Sequence, residues 1–146
     1  MKKLLLIAPQ LNNSLMTGGA MFRLPNIGLL RVAALTPPDW EVKIVDEKIE
    51  PLDLNEPADL VGITAMTTGV KRGYELADHF RRRGIQVVMG GMHVSNFPQE
   101  ALSHCDAVVM GCTEIPLVLS DATSPLPTLD STRLLARAAL RWSVTS

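Results

Sequence analysis

The chain has 146 residues, 47% of them hydrophobic and 20% charged, and its formal net charge is −1. These values are typical of one soluble domain with its own core, and they provide no field that would attract nucleic acid or an anionic membrane. Two cysteines without CxxC spacing exclude a disulfide framework and a zinc site of that type, and they favour a reducing, cytoplasmic location.

Short apolar runs recur along the chain, each about as long as a strand. The opening run, "KLLLIAP", is too short for a signal peptide or a membrane span, so we interpret it as a first buried strand. Because Val, Ile and Leu occupy both faces of these runs, we expect a parallel sheet that is covered on both sides. The predicted strands are residues 3–9, 41–46, 59–64, 85–91 and 106–111, with a short sixth edge strand near 126–129.

The segments between the runs predict helices. The segment "PNIGLLRVAALTPP" predicts a helix that is capped by Asn26 and has an apolar side made of Ile27, Leu30, Ala33 and Ala34. The segment "TTGVKRGYELADHFRRRG" predicts a longer helix closed by a glycine, and the three arginines of its last turn suit the helix dipole better than a phosphate site. "NFPQEAL" predicts a short helix, and an amphipathic helix is expected between about residues 130 and 142.

Strands that alternate with helices in this way predict a three-layer α/β/α sandwich with a flavodoxin-like parallel sheet. We expect residues 1–146 to form a single domain, as a monomer or, through an exposed edge strand, a weak homodimer. Ligands of such a sheet bind beyond the carboxyl ends of its strands, in a region that we call the rim.

Two loops of the rim are rich in small and hydroxyl-bearing residues. "TAMTTG" places Thr64, Thr67 and Thr68 after the third strand, and "GGMHVS" follows the fourth. Gly90 and Gly91 would let a flat ligand approach the backbone, since glycine has no Cβ. There is no GxGxxG or Walker loop, so the sequence does not support a dinucleotide or a nucleoside triphosphate as ligand.

The chain has three histidines, and His93 alone follows a strand at the rim. It is a candidate axial metal ligand or hydrogen-bond donor, and a loop histidine that only caps a neighbouring carbonyl is the alternative. No histidines and carboxylates show metal-ligand spacing, so no metal site is expected.

The front of the chain, to about residue 111, resembles the cobalamin-binding domain that precedes the radical SAM domain in one branch of radical SAM enzymes. The resemblance rests on "KLLLIAP", "PNIGLLRVAAL", "DLVGITAMT" and "VVMGGMHVSNFPQEAL" followed by "CDAVVMG". It implies a corrin ring held over the rim, so cobalamin is the candidate cofactor. The positions that match the binding loops are Thr64, Met66, Thr67, Thr68, Gly90, Gly91, His93, Val94 and Gly111. The DxHxxG element of other cobalamin proteins is absent, and so is the CxxxCxxC run of a radical SAM cluster.

From Val108 onward the resemblance changes. "VVMGCTEIPLV" is similar to the second cysteine signature of aspartate/glutamate racemases, and "PLPTLDSTRLLARAAL" resembles the end of that family. The resemblance implies that Cys112 is one of two thiols that move the α-proton of an amino acid. The partner motif is missing, and Cys105 in "SHCDAV" is expected to be a buried packing residue.

Two resemblances in one short domain suggest an engineered chimera, with a cobalamin-binding-like part at 1–110 and a racemase-like part at 111–146. A natural truncated gene product is the alternative. We therefore expect a scaffold that is not a complete enzyme, with a small molecule, cobalamin, as the candidate ligand. Two alternatives stay open: a racemase-type fragment that uses Cys112 with little or no turnover, and a scaffold without any native function.

Overall fold

Six parallel strands form one sheet in the computed structural model, which describes residues 1–10, 26–110 and 128–130. The strands are β1 (Lys2–Ala8), β2 (Trp40–Asp46), β3 (Leu60–Thr64), β4 (Gln86–Gly90), β5 (Ala107–Met110) and β6 (Thr128–Asp130). Their order is β2-β1-β3-β4-β5-β6, so β1 lies between β2 and β3. This is the order of a flavodoxin-like sheet with one strand added at the edge, and the predicted fold class is confirmed.

The helices among the described residues are α1 (Ile27–Leu35), α2 (Val70–Arg82), α3 (Met92–Asn96) and α4 (Pro98–Ala101). The α1 helix begins at the predicted cap, where Oδ1 of Asn26 accepts a hydrogen bond from the amide of Leu29. The short helix predicted for "NFPQEAL" is α4, which Pro98 begins because the first turn of a helix does not need its amide hydrogen. The α3 helix lies just before it and was not predicted. No described helix has both the length and the apolar character needed to cross a membrane.

One face of the sheet packs against α2 and forms the larger core. Apolar residues of α2 recur at helical spacing, so Leu76, Ala77 and Phe80 all turn toward the sheet and are fully buried. The strands contribute Leu5, Ile7, Val45, Val61, Ile63, Val87, Met89 and Val108 to the same cluster. This core fixes the positions at which β3 and β4 end, and those ends carry the rim.

The arginines at the end of α2 anchor neighbouring segments. The guanidinium of Arg83 donates to the backbone carbonyls of Leu54 (2.7 Å), Asn55 (3.1 Å) and Glu56 (3.1 Å). Arg81 donates to the carbonyl of Ser103 at 3.1 Å. Two of the three arginines thus have structural partners, in agreement with the preference for a helix terminus over a phosphate site.

The opposite face of the sheet carries α1 and a smaller core made of Leu4, Leu6, Ala8 and Leu29. The predicted apolar side of α1 is correct only at Ala33. Leu29 is buried and Ala33 packs beside it, whereas Ile27 is 75% exposed and Leu30 is 48% exposed. The helix has a single charged residue, Arg31, so its sequence pattern does not distinguish the side that faces the sheet.

Candidate functional site

The two loops of the rim are joined through their backbones. Thr64 and Gly90 are paired residues at the carboxyl ends of β3 and β4. Beyond them the amide of Ala65 donates to the carbonyl of Gly90 at 2.9 Å, and the amide of His93 donates to the carbonyl of Ala65 at 3.3 Å. The loop after β3 and the start of α3 therefore form one continuous surface.

Gly91 is required by this junction. Its φ is +99°, a value that residues with a side chain rarely adopt, and a Cβ there would lie 2.7 Å from the carbonyl oxygen of Ala65. The sequence predicted that Gly91 opens the backbone to a ligand; in the structure the space beside it is occupied by the neighbouring loop. At Gly90 a Cβ would only make ordinary contact with Val109, at 3.4 Å.

The exposed part of the rim combines apolar and hydroxyl-bearing side chains. Met66, Thr67 and Thr68 are exposed after β3, and Met92 is exposed after β4, with exposed fractions of 57% for Met66 and 65% for Met92. The sequence reasoning missed Met92; the signal was an apolar residue directly after two glycines at a strand end. Val94, predicted as a cofactor-binding residue, is fully buried in the larger core and its side chain is not available to a ligand.

His93 lies beneath the rim, with 7% of its surface exposed. Its Nδ1 is 3.2 Å from Oγ1 of Thr67, and its Nε2 is 3.4 Å from Oε1 of Glu100. The ring packs edge-on to Tyr74 at 6.4 Å and against Phe97 at 4.9 Å. Because both ring nitrogens have partners within the protein, the structure does not favour the predicted role of axial metal ligand.

Tyr74 connects His93 to a second histidine. Its ring stacks on His104 at 4.2 Å, and Nδ1 of His104 lies 2.9 Å from the carboxylate of Asp78. The Tyr74 hydroxyl is buried without a hydrogen-bond partner among the described residues. Burial, with the Glu100 carboxylate nearby, raises the pKa of Tyr74, so its phenol stays protonated.

A second feature is a cleft of about 410 Å³ beside the carboxyl ends of β1 and β2. Glu47, with only 8% of its side chain exposed, pairs there with Arg72 of α2, and the shortest nitrogen–oxygen distance is 2.7 Å. The amide of Gln10 donates to the same carboxylate at 3.1 Å. Burial opposes ionisation of Glu47, but these hydrogen bonds outweigh it and hold the pKa of Glu47 below its ordinary value.

Of the two cysteines, the structure describes Cys105. Cys105 is buried, its thiol lies 3.1 Å from the carbonyl of Ala101, and burial raises the pKa of Cys105 to about 11, as expected of a packing residue. Cys112 and Gly111, predicted as a catalytic and a cofactor-binding residue, lie outside the described residues. Within the described ranges, no group of three His, Cys, Asp or Glu side chains is placed to hold a metal ion.

The chain has recognisable relatives. The model of the B12-binding domain family matches residues 14–119. Bacteriochlorophyllide d C-8(2)-methyltransferase of Chlorobaculum tepidum is 43% identical over 81 residues, which cover 55% of this chain and 18% of that protein. The C-12(1)-methyltransferase of the same organism is 32% identical over 113 residues, 75% of this chain and 24% of that protein. An uncharacterized methyltransferase of Pyrococcus horikoshii is 34% identical over 104 residues, 62% of this chain and 23% of that protein.

The chain thus spans less than a quarter of the length of these curated relatives. No solved structure matches it. The expectation that the chain is not an enzyme is contradicted, because all three relatives are named as methyltransferases. The family match runs through the predicted junction near residues 108–111 and continues to residue 119, so neither a racemase-like C-terminal part nor a chimeric origin is supported.

Proposed function

The chain belongs to the B12-binding domain family, and we propose that it binds cobalamin at the rim as the cofactor-binding part of a methyltransferase. When bound, cobalamin supplies a cobalt centre that can carry a methyl group. The part of the chain described here would bind and orient that cofactor.

The observation that carries the proposal is the chemistry of the exposed rim. A corrin ring is flat and largely apolar, and its edge bears amide side chains. Met66 and Met92 provide apolar surface on the two joined loops, while Thr67 and Thr68 are exposed residues whose hydroxyls can bond to amides. These residue types fit the ring and its edge.

The residues beneath the rim would hold this surface in place. The backbone bonds between Ala65, Gly90 and His93 fix the two loops against each other. The cleft beside Glu47 and Arg72 borders the same end of the sheet and offers polar groups to a part of the ligand that extends beyond the ring. The methyltransferase role rests on the names of the relatives.

The test is a visible-absorbance titration of the protein with hydroxocobalamin. We expect a saturable spectral change. Met92→Glu should weaken binding at least about tenfold, because burial of a methionine side chain contributes about 1.5–3 kcal/mol and each 1.4 kcal/mol is tenfold in affinity.

Leu35→Glu is the matched control, since Leu35 is similarly exposed, at 61%, but ends α1 shortly before the amino end of β2, at the opposite end of the strands from the rim. Its affinity should equal that of the unmodified protein. A protein that melts cooperatively and shows no saturable spectral change would overturn the proposed function. If Met92→Glu and Leu35→Glu bind hydroxocobalamin with equal affinity, the proposed binding site at the rim is wrong.

A further inference from the structure

We propose that His93 is a positioning residue that sets the direction in which the Thr67 hydroxyl donates its hydrogen bond at the rim. The ligand in this inference is the cobalamin of the proposed function, but the hydrogen-bond arrangement itself is a property of the protein without ligand.

The argument starts from the place of His93 in the fold. It lies in α3, its amide bonds to the loop after β3, and its ring contacts Thr67 of that loop, Tyr74 of α2 and Glu100 of α4. The ring is buried, whereas Thr67 is exposed at the rim. His93 is therefore the buried neighbour of a hydroxyl that a ligand can reach.

The partner on the other side of the ring determines the tautomer. The carboxylate of Glu100 only accepts hydrogen bonds when it is ionised, so Nε2 of His93, 3.4 Å away, must carry a hydrogen. In the neutral ring Nδ1 then has no hydrogen and accepts one from the Thr67 hydroxyl. The single hydrogen of that hydroxyl points inward, and its remaining lone pairs face the rim.

A charged His93 ring would reverse this arrangement. Both ring nitrogens then donate, Oγ1 of Thr67 accepts from Nδ1, and the Thr67 hydrogen is released toward the rim. Among the described residues in contact with the ring, Tyr74 and Glu100 are the titratable groups, and Phe97 and Thr67 carry no charge. The state of His93 thus decides whether Thr67 offers the ligand an acceptor or a donor.

Cobalamin carries groups of both kinds. Its amide nitrogens and a water on cobalt donate hydrogen bonds, and its amide oxygens accept them. With a neutral ring, Thr67 accepts a hydrogen bond from the ligand, and His93 acts on the ligand only through Thr67.

The first experiment needs no ligand. Histidine labelled with ¹⁵N in its ring reports the tautomer by NMR, at about pH 8, where an ordinary histidine is neutral. The His93 signal is identified by its loss in His93→Gln. We expect the tautomer with hydrogen on Nε2. Hydrogen on Nδ1 alone, or on both nitrogens, would overturn the proposal whether or not cobalamin binds.

The second experiment compares hydroxocobalamin affinities of the variants His93→Asn and His93→Gln. An asparagine amide occupies the place of Nδ1 and can still accept from Thr67, whereas a glutamine amide occupies the place of Nε2 and contacts only Glu100. We expect His93→Asn to bind within about twofold of the unmodified protein, and His93→Gln to bind about fivefold more weakly, the usual effect of one neutral hydrogen bond.

Thr67→Val keeps the shape of the side chain without the hydroxyl and should weaken binding by the same factor of about five. In the Thr67→Val background the two His93 variants should no longer differ, since the interaction through Thr67 is already removed. Melting temperatures are measured for every variant. If His93 only packs, both variants melt earlier and the folded proteins bind alike, and the proposal is wrong.

The two proposals fail in different ways. If the unmodified protein binds no cobalamin, the proposed function is wrong, and the NMR result still decides the hydrogen-bond arrangement. If the unmodified protein binds and the variants do not separate as described, the role of His93 is wrong and the proposed function stands.

Discussion

Gly91 and Gly84 both have positive φ, at +99° and +76°, but their surroundings differ. A Cβ at Gly91 would collide with the backbone of Ala65, whereas a Cβ at Gly84 would meet nothing within 4 Å. The pair therefore separates the cost of the backbone conformation from the cost of the collision.

We expect Gly84→Ala to lower the free energy of unfolding by about 1 kcal/mol and Gly91→Ala by about 3 kcal/mol. Urea denaturation of both variants measures the difference. Equal losses would mean that the loop after β3 moves aside easily. The close contact between that loop and the start of α3 would then be incorrect.

At the residue scale, the sequence placed the loops after β3 and β4 at the carboxyl ends of the strands, as the structure does, but it assigned wrong reasons to some positions. Glycine after a strand signals either an open backbone or a close neighbour, and only the fold distinguishes the two at Gly91. Val94 is an apolar residue in a motif, and its burial depends on how α3 packs on the sheet. The pairing of His93 with Glu100 joins α3 to α4 across Phe97, where the helix is interrupted, so helical spacing does not reveal it.

At the element scale, α1 packs on the sheet by Leu29, and Ile27 points away from it. Leu29→Ala should lower the free energy of unfolding by about 3 kcal/mol, because it removes a buried side chain and leaves a cavity. Ile27→Ala should change it by less than about 0.5 kcal/mol, as exposed substitutions usually do. The same denaturation assay checks both. A larger loss of unfolding free energy for Ile27→Ala would mean that Ile27 packs against the sheet, as the sequence predicted.

The ion pair of Glu47 and Arg72 ties the end of β2 to the first turn of α2. Because the pKa of Glu47 is lower in the folded protein than its ordinary value of 4.5, the pair stabilises the fold above that pH. Its contribution is lost as the pH falls through the lowered pKa, since the carboxyl group then takes up a proton.

Glu47→Gln should therefore lower the free energy of unfolding at neutral pH by about 2 kcal/mol, because it weakens hydrogen bonds that are made to a charged group. The difference from the unmodified protein should shrink as the pH falls below about 4.5. Glu75→Gln is the control, because Glu75 contacts the same arginine at 3.5 Å but is 54% exposed, and it should have little effect. A difference for Glu47→Gln that does not depend on pH would argue against an electrostatic origin.

The first five strands were predictable to within one residue because each contains a short run rich in Val, Ile or Leu. The side of α1 that faces the sheet was not predictable, because a helix with one charge has no clear polar side. The ion pair of Glu47 was not predictable either. Its partners follow β2 and β3, and these strands are separated in the sheet by β1.

At the scale of the whole molecule, a ligand that binds only the folded protein must stabilise it. At a hydroxocobalamin concentration 100 times the Kd, the gain is about 2.7 kcal/mol. For a chain of this size we expect the Tm to rise by about 5–10 °C. Calorimetry with and without the ligand measures the shift. At the same concentration Met92→Glu should show a smaller shift, and an unchanged Tm at saturation would contradict binding to the native state.

The two faces of the sheet are covered differently within the described part of the chain. Residues of β3 and β4 that face α2, such as Val61 and Val87, are fully buried. Those that face the side of α1, such as Gly62 and Val88, are only half-buried.

Tyr74 is the one tyrosine in the chain, and its ring lies between those of His93 and His104. The phenol bands in its Raman spectrum therefore come from a single tyrosine in a fixed, buried environment. Any change in the charge of either histidine alters the electric field on that phenol. The protein thus contains its own optical probe of the layer beneath the rim, which can be read before any coloured cofactor is added.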